Sequence, residues 1–318
     1  MSTIVVGIAS SHTPQLSMGA EMWSVHSSLV DHMVVDVEAR RAVAPDWIAA
    51  EVQADRIAEK DAECQQHIRD LSTALRDARP DVVVVFGDDH REVFQEDCSP
   101  ALAIFCGEEV WDLPSDLSSM LESQRVSEWA YHGAEPVSYP TAGGLATHIA
   151  REITASGFDP TTMSELPGGR SLGHAFTFVK RRLGTEFEWT MLPIWINAFY
   201  EPNKLSARRC FEVGQAVRKA IESWPGDERV AIVASGGLSH FVVDEELDRT
   251  LMQAFEDDDE ATICGVPDQM LESGSGEIRM WIGAAGALQS LSVSKASYVP
   301  GYRSEVATGV GLGFVVWT

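Results

Sequence analysis

The stretch DVVVVFGDDH (residues 81–90) decides how the rest of the chain reads. Four valines and a phenylalanine in succession favour an extended strand. The run does not alternate with polar residues, so both faces of the strand are expected to be covered, as inside a parallel sheet. It then stops at Gly87, and Asp88, Asp89 and His90 follow. Polar side chains able to bind a metal thus stand just past the carboxyl end of a buried strand, the edge where open α/β sheets bind ligands.

The same signature recurs outward from this point. Short apolar runs at 4–8, 101–105, 189–196, 230–234 and 310–316 also read as buried strands. Between them lie helical patterns at 47–79, 143–156, 206–223, 245–257 and 276–291. The first of these is a single long amphipathic helix in this reading, stopped by Pro80. Strand and helix alternation predicts an α/β fold, a central sheet flanked by helices. Neither a linker nor a repeat interrupts it, so residues 1–318 are expected to form one domain. Residues 15–46 and 107–140 are the least regular and are expected to form loops and short helices over one end of the sheet.

Composition excludes several classes. Lys and Arg total 24 against 48 Asp and Glu, a net charge of −24. Such a surface repels phosphate backbones, which argues against nucleic acid as a partner. Five scattered cysteines without a CxxC pair fit a reducing, cytoplasmic setting and argue against a disulfide framework or a zinc–thiolate site. No apolar run is long enough for a membrane span, and the N-terminus reads as a first strand rather than a signal peptide. The run EDDDE at 256–260 reads as a solvated helix end, because it lacks the ligand spacing of an EF-hand. A phosphate-binding GxxxxGK[ST], a GxSxG elbow and an HExxH helix are all missing, and GVGLG at 309–313 leaves no room for the helix a dinucleotide loop needs.

The histidines carry the chemical signal. His12, His90 and His240 each follow a strand, in SSHTP, FGDDH and SGGLSH, and His174 lies in the turn-like LGHAF. Strand ends that share one edge bring such residues together across large sequence separations. His26, His32, His67, His132 and His148 read as surface or packing residues. Without thiolates, imidazole and carboxylate are the available metal donors, and two histidines with one carboxylate make the facial triad of non-haem Fe(II) oxygenases. Glu272 and Glu277 both open a helical pattern, and the residues alone do not choose between them.

Taken in order, GIASSHTP, FGDDHREVF, GHAFTF, RRCFEVGQAVRKAIESWP, SGGLSHFVVDEELDR, ESGSGEIRMWI and YVPGYRSEVATGVGLGF resemble the class III extradiol ring-cleavage dioxygenases over nearly the whole chain. That family includes the protocatechuate 4,5-dioxygenase β subunit and the gallate and 3-O-methylgallate dioxygenases. HREVF and YRSEVATG look most like the 3-O-methylgallate branch. The resemblance implies a single α/β catalytic domain that uses O2 to open a small catecholic ring. Carried over residue by residue, it implies that His12, His90 and Glu277 bind Fe(II), with Mn(II) accepted by the same donors. The position of Glu277 before the Met-Trp pair favours it over Glu272. The resemblance further implies that His240 is the acid/base residue and His174 a second active-site histidine, and that the lid comes from the irregular segments or from a second protomer in a homo-oligomer.

Lesser expectations complete this reading. Asp88 and Asp89 orient His90 or cap the turn after it. Ser11, Thr13 and Ser239 bond ligand or backbone. Arg170 and Arg303 are the candidate cations for a benzoate-type substrate. Phe176 and Trp281 are expected in the core, with the wall of a ring pocket as the other possibility. The competing functions are an extradiol enzyme for an aminophenol or a dihydroxyphenylalanine-like ring, and a metal-dependent hydrolase on the same scaffold.

Overall fold

The computed structural model of the chain describes residues 2–318. Its strands are β1 (Thr3–Ser10), β2 (Val82–Gly87), β3 (Leu102–Phe105), β4 (Glu109–Asp112), β5 (Val137–Pro140), β6 (Thr161–Met163), β7 (Thr190–Ile196), β8 (Arg229–Ser235), β9 (His240–Val242), β10 (Val293–Tyr302) and β11 (Thr308–Trp317). The main sheet runs β10-β11-β1-β8-β2-β7-β3-β6, with β9 paired to β11, and β4 and β5 form a small separate antiparallel sheet. The central strands β1, β8, β2 and β7 are parallel. β11 joins β1 antiparallel and β3 joins β7 antiparallel, so the sheet is mixed.

Both faces of the sheet are packed, which is why its central strands show no polar alternation. On one face Val82, Val84, Phe86, Ile232 and Ile194 meet helices Gly143–Ala155, Ala207–Ser223 and Ile278–Leu288. On the other, Val83, Val85, Val233 and Ile8 meet the helix Ala54–Ala78 through Ile57, Cys64, Ile68, Leu71 and Leu75. Phe176 and Trp281 are fully buried. Phe176 packs on Trp195, and Trp281 donates to the Gly236 carbonyl, so both belong to the core.

Two expectations are corrected. The pattern at 47–79 is two helices, Ile48–Glu51 and Ala54–Ala78, because Gln53 is extended and starts the second. The break sets Glu51 against the buried Lys60 amine, 2.7 Å away. Residues 15–46 are more regular than expected: Met22–Val34 is a full helix that turns Trp23 and His26 inward. Residues 107–140 supply the antiparallel β4–β5 pair and, between its strands, the helix Glu122–Ser127. None of the helices among the described residues is long and apolar enough to cross a membrane.

Candidate metal centre and active site

Because β1, β8 and β2 are parallel neighbours, the residues that follow them emerge side by side at one edge of the sheet. His12 comes from the first, Gly236 to His240 from the second and Asp88 to His90 from the third. The 3-10 turn Ser273–Glu277 delivers Glu277 from the side. One donor atom from each of His12, Asp88, His90 and Glu277 falls within 4.8 Å of the others, and His174 forms an equally close group with His12 and His90. Glu277 Oε1 lies 3.2 Å from His90 Nε2 and 3.1 Å from His240 Nε2, and Glu277 Oε2 lies 3.5 Å from His12 Nε2. Glu272 is elsewhere, paired with Lys204 on the surface.

Small residues let the chain pass this close. A Cβ on Gly237 would stand 2.9 Å from the His240 ring, one on Gly274 2.2 Å from it, and one on Gly236 3.1 Å from the Glu277 Cβ. The Gly237 N–H donates to Glu277 Oε2 at 2.6 Å, which fixes the carboxylate against the β8 loop.

Hydrogen bonds on the far side of each ring set its orientation. The Ser235 hydroxyl donates to the Ala175 carbonyl, so its oxygen accepts from His12 Nδ1–H at 3.2 Å. His12 therefore turns an unprotonated Nε2 toward Asp88 and Glu277, and burial pulls its pKa down to about 4. His240 donates Nδ1–H to the Leu238 carbonyl at 2.9 Å and aims Nε2 inward. His174 is held through Nδ1 by Glu92 Oε2 at 2.8 Å. Burial lowers the pKa of His90, His174 and His240, but the facing carboxylates outweigh it and raise all three: Asp88 and Glu277 for His90, Glu92 for His174, Glu277 for His240. Burial raises the Glu277 carboxyl, and the surrounding imidazoles, His240 foremost, carry it well below its usual range.

The donor set fits a divalent cation. Asp88 and Glu277 are both buried. Asp88 Oδ2 is 2.9 Å from His90 Nε2 and Oδ1 3.8 Å from His12 Nε2, yet neither oxygen accepts a hydrogen bond among the described residues. Unsatisfied carboxylate oxygens are costly inside a protein. Here they face imidazole nitrogens, and a hard-to-borderline dication neutralises such a set.

The cluster lies in a cavity of about 470 Å³ whose lining includes Thr13, His26, Met33, Glu92, Gln124, Tyr131, His132, Phe241 and Arg303. Tyr131 donates to the His12 carbonyl at 2.7 Å and packs edge-on to His174. The sequence reading missed two residues here. His26 is buried and bonds Ser123, and His132 is held by Asp112 at 2.6 Å, with Tyr139 on the other Asp112 oxygen. His132 lies two residues past a short 3-10 turn, Glu128–Ala130, and five before β5, which gives no local signal of its place. His32 is exposed, while His67 and His148 pack against Phe314 and Trp224, as expected of surface and packing residues.

The other residues divide. Asp89 caps the turn, accepting from the N–H groups of Arg91, Val93 and Phe94. Asp88 is the one that faces the histidines. Ser11 accepts from Thr13 N–H, and Ser239 bonds Asp248. Arg170 is paired with Asp97 and is outside the cavity lining, whereas Arg303 lines it.

The family model described as the catalytic LigB subunit of aromatic ring-opening dioxygenase matches residues 48–314. That span holds His90, His174, His240 and Glu277, and His12 precedes it. Gallate dioxygenase of Pseudomonas putida is 37% identical over 119 residues, 36% of this chain and 34% of that protein. Two 2,3-dihydroxyphenylpropionate/2,3-dihydroxicinnamic acid 1,2-dioxygenases are also similar. The one from Photorhabdus laumondii is 25% identical over 181 residues, covering 55% of this chain and 49% of its own. The one from Rhodococcus jostii is 28% identical over 169 residues, covering 53% and 46%. The chain thus spans at most about half the length of these curated relatives. With the family model matched over most of its residues and a metal-capable cluster at the sheet edge, the chain belongs to the LigB family, the class III extradiol type of metal-dependent ring-cleavage dioxygenase.

Proposed function

We propose that the protein is a non-haem Fe(II) extradiol dioxygenase that opens a catecholic ring of the gallate, 3-O-methylgallate or protocatechuate kind in aromatic breakdown. His12, His90 and Glu277 hold the iron, and His240 and His174 serve the reacting groups. The observation that supports this most is the convergence of all five side chains on one cavity floor. The similarity to gallate dioxygenase supports the ring class. When bound, iron would bring the ring and O2 together and supply a path for electrons between them.

The protein's own groups do the rest. His240, its Nδ1–H committed to Leu238, offers Nε2 as the atom that takes the proton of a ring hydroxyl and returns it later. A phenol with a pKa of about 10 needs such a base at neutral pH. His174, raised by Glu92, is a hydrogen-bond donor toward the same space and steadies negative charge that develops there. Tyr131 and Phe199 close the sides of the rings they pack on and limit water. The catalytic unit in this proposal is the domain 1–318, acting as a homo-oligomer. Its five unpaired cysteines support a cytoplasmic setting.

The test is O2 uptake after anaerobic Fe(II) loading, with gallate, 3-O-methylgallate, protocatechuate and catechol in parallel and absorbance scans for the opened ring. One O2 consumed per ring supports the proposal and ranks the substrates. Iron bound at one equivalent with no uptake on any of them defeats it. Loading with Mn(II) instead decides which metal the donors serve.

A further inference from the structure

One wall of the cavity carries a charge that ring opening does not require. Arg303 follows the carboxyl end of β10, is 3% exposed and lines the same cavity as His12, His90 and Glu277. Its Nε and Nη2 both face Asp31 Oδ1, at 2.9 and 2.8 Å. The other Asp31 oxygen is taken by the hydroxyls of Ser27 and Thr308. The carboxylate is thereby saturated on its own side. Only Nε donates a hydrogen bond to it; Nη2 is held by charge alone and, like Nη1, has no hydrogen-bond acceptor among the described residues. His26 lines the cavity too, anchored through Nδ1 to Ser123. Burial, and next the Arg303 charge, pulls its pKa to about 4, so at pH 7 it is a neutral polar edge.

We propose that Arg303, braced by Asp31 and flanked by His26, binds the carboxylate of a ring acid and so makes the enzyme select catechols that carry an acid group over uncharged ones. This rests on the catechol reading above. A guanidinium is the planar, permanently charged partner that carboxylates prefer, and with one edge held by Asp31 its other edge is oriented in advance. The need for it follows from charge: a chain at −24, with Glu92 and Glu277 lining this cavity, repels an anionic ring unless a fixed cation receives it. The Arg170 guanidinium, spent on Asp97, does not meet that need.

The test is equilibrium dialysis of the iron-loaded protein without O2, so that no turnover is involved. The two probes are 3,4-dihydroxybenzoate and 3,4-dihydroxybenzamide, alike in shape and in their vicinal hydroxyls but different in charge. Wild type is expected to bind the acid about 10-fold or more tightly than the amide. Arg303→Lys is expected to keep part of that preference, and in Arg303→Met the ratio falls to near one. Equal binding of the two probes by wild type overturns this inference and leaves the catechol reading standing. Failure of wild type to bind either probe overturns both.

Discussion

Glu92 Oε2 lies 2.8 Å from His174 Nδ1, and both Glu92 oxygens also face the His174 backbone N–H, at 3.2 and 3.3 Å. One carboxylate thus fixes both the ring and the start of the short helix His174–Phe178. The space is tight, since a Cβ on Gly173 would stand 2.7 Å from Glu92 Oε2. Burial raises the Glu92 carboxyl, but the His174 charge wins and brings it to about 2. The Glu92→Gln variant keeps the shape and loses the charge that raises the His174 pKa. Its ring-opening rate is expected to fall about 10- to 100-fold. The limb of the pH–rate profile that reports His174 should move to lower pH, with iron content unchanged. A rate loss with an unmoved profile would give Glu92 a packing role only.

Metal content tests the proposed ligands apart from the proposed acid/base group. His12→Ala, His90→Ala and Glu277→Ala are each expected to hold well under one equivalent of iron after dialysis. His240→Ala should keep its iron and lose turnover by about 10²- to 10⁴-fold. Asp88 tests the charge argument, because both its oxygens lack hydrogen bonds. Asp88→Asn removes one of two buried negative charges at little change in volume. Iron affinity should drop about 10- to 100-fold. An inactive His12→Ala protein with a full equivalent of iron would remove His12 from the ligand set.

Much of the centre was legible because of where it sits. His12, His90 and His240 each follow an unbroken apolar run, and those runs turn out to be β1, β2 and β8, parallel neighbours. Local sequence thus gave each position, and sheet order supplied the convergence. Glu277 needed the resemblance, since Glu272 has the same local setting. His26 and His132 were not legible. Their places depend on the helix Met22–Val34 and the Glu109–Asp112 strand folding over the sheet edge, which no local pattern dictates. β10 went unread for a different reason: as an edge strand it carries exposed Ser294 and Lys295 and a proline, Pro300, so it lacks the buried signature. Arg303 and Asp31 are 272 residues apart, and their pairing is a tertiary fact.

Glycines set how closely two helices pack on one face of the sheet. A Cβ on Gly214 would stand 1.9 Å from the Gly283 carbonyl oxygen and 2.8 Å from Ala287 N, and one on Gly286 2.1 Å from the Phe211 carbonyl oxygen. Helices Ala207–Ser223 and Ile278–Leu288 therefore meet backbone to backbone. No side-chain rotation relieves a clash with backbone, so Gly214→Ala must push the helices apart. A loss of about 2–3 kcal/mol is expected, read as a lower urea midpoint. An unchanged midpoint would show that the helices separate freely.

Asp248 gives the stability curve a pH signature of known sign. It is fully buried and accepts from the Ser239 N–H at 2.8 Å, the Ser239 hydroxyl at 2.7 Å and the Tyr298 hydroxyl at 2.7 Å, which ties it to the residue before His240. Burial pushes its carboxyl up to about 6 from 3.8, and the three donors, pulling the other way, do not cancel it. An acid raised by folding binds its proton more tightly in the native state than in the unfolded one. Its contribution to stability is complete below the unfolded value near 3.8 and is lost as pH rises through about 6. Asp248→Asn has no such proton. The unfolding free energy of wild type minus that of the variant should therefore fall between about pH 4 and pH 6 and level off above. The shift in pKa caps the fall at about 3 kcal/mol. Urea unfolding of both proteins in steps from pH 4 to pH 7 measures it. A difference that rises with pH would mean that Ser239 and Tyr298 stabilise the ionised carboxylate more than burial opposes it.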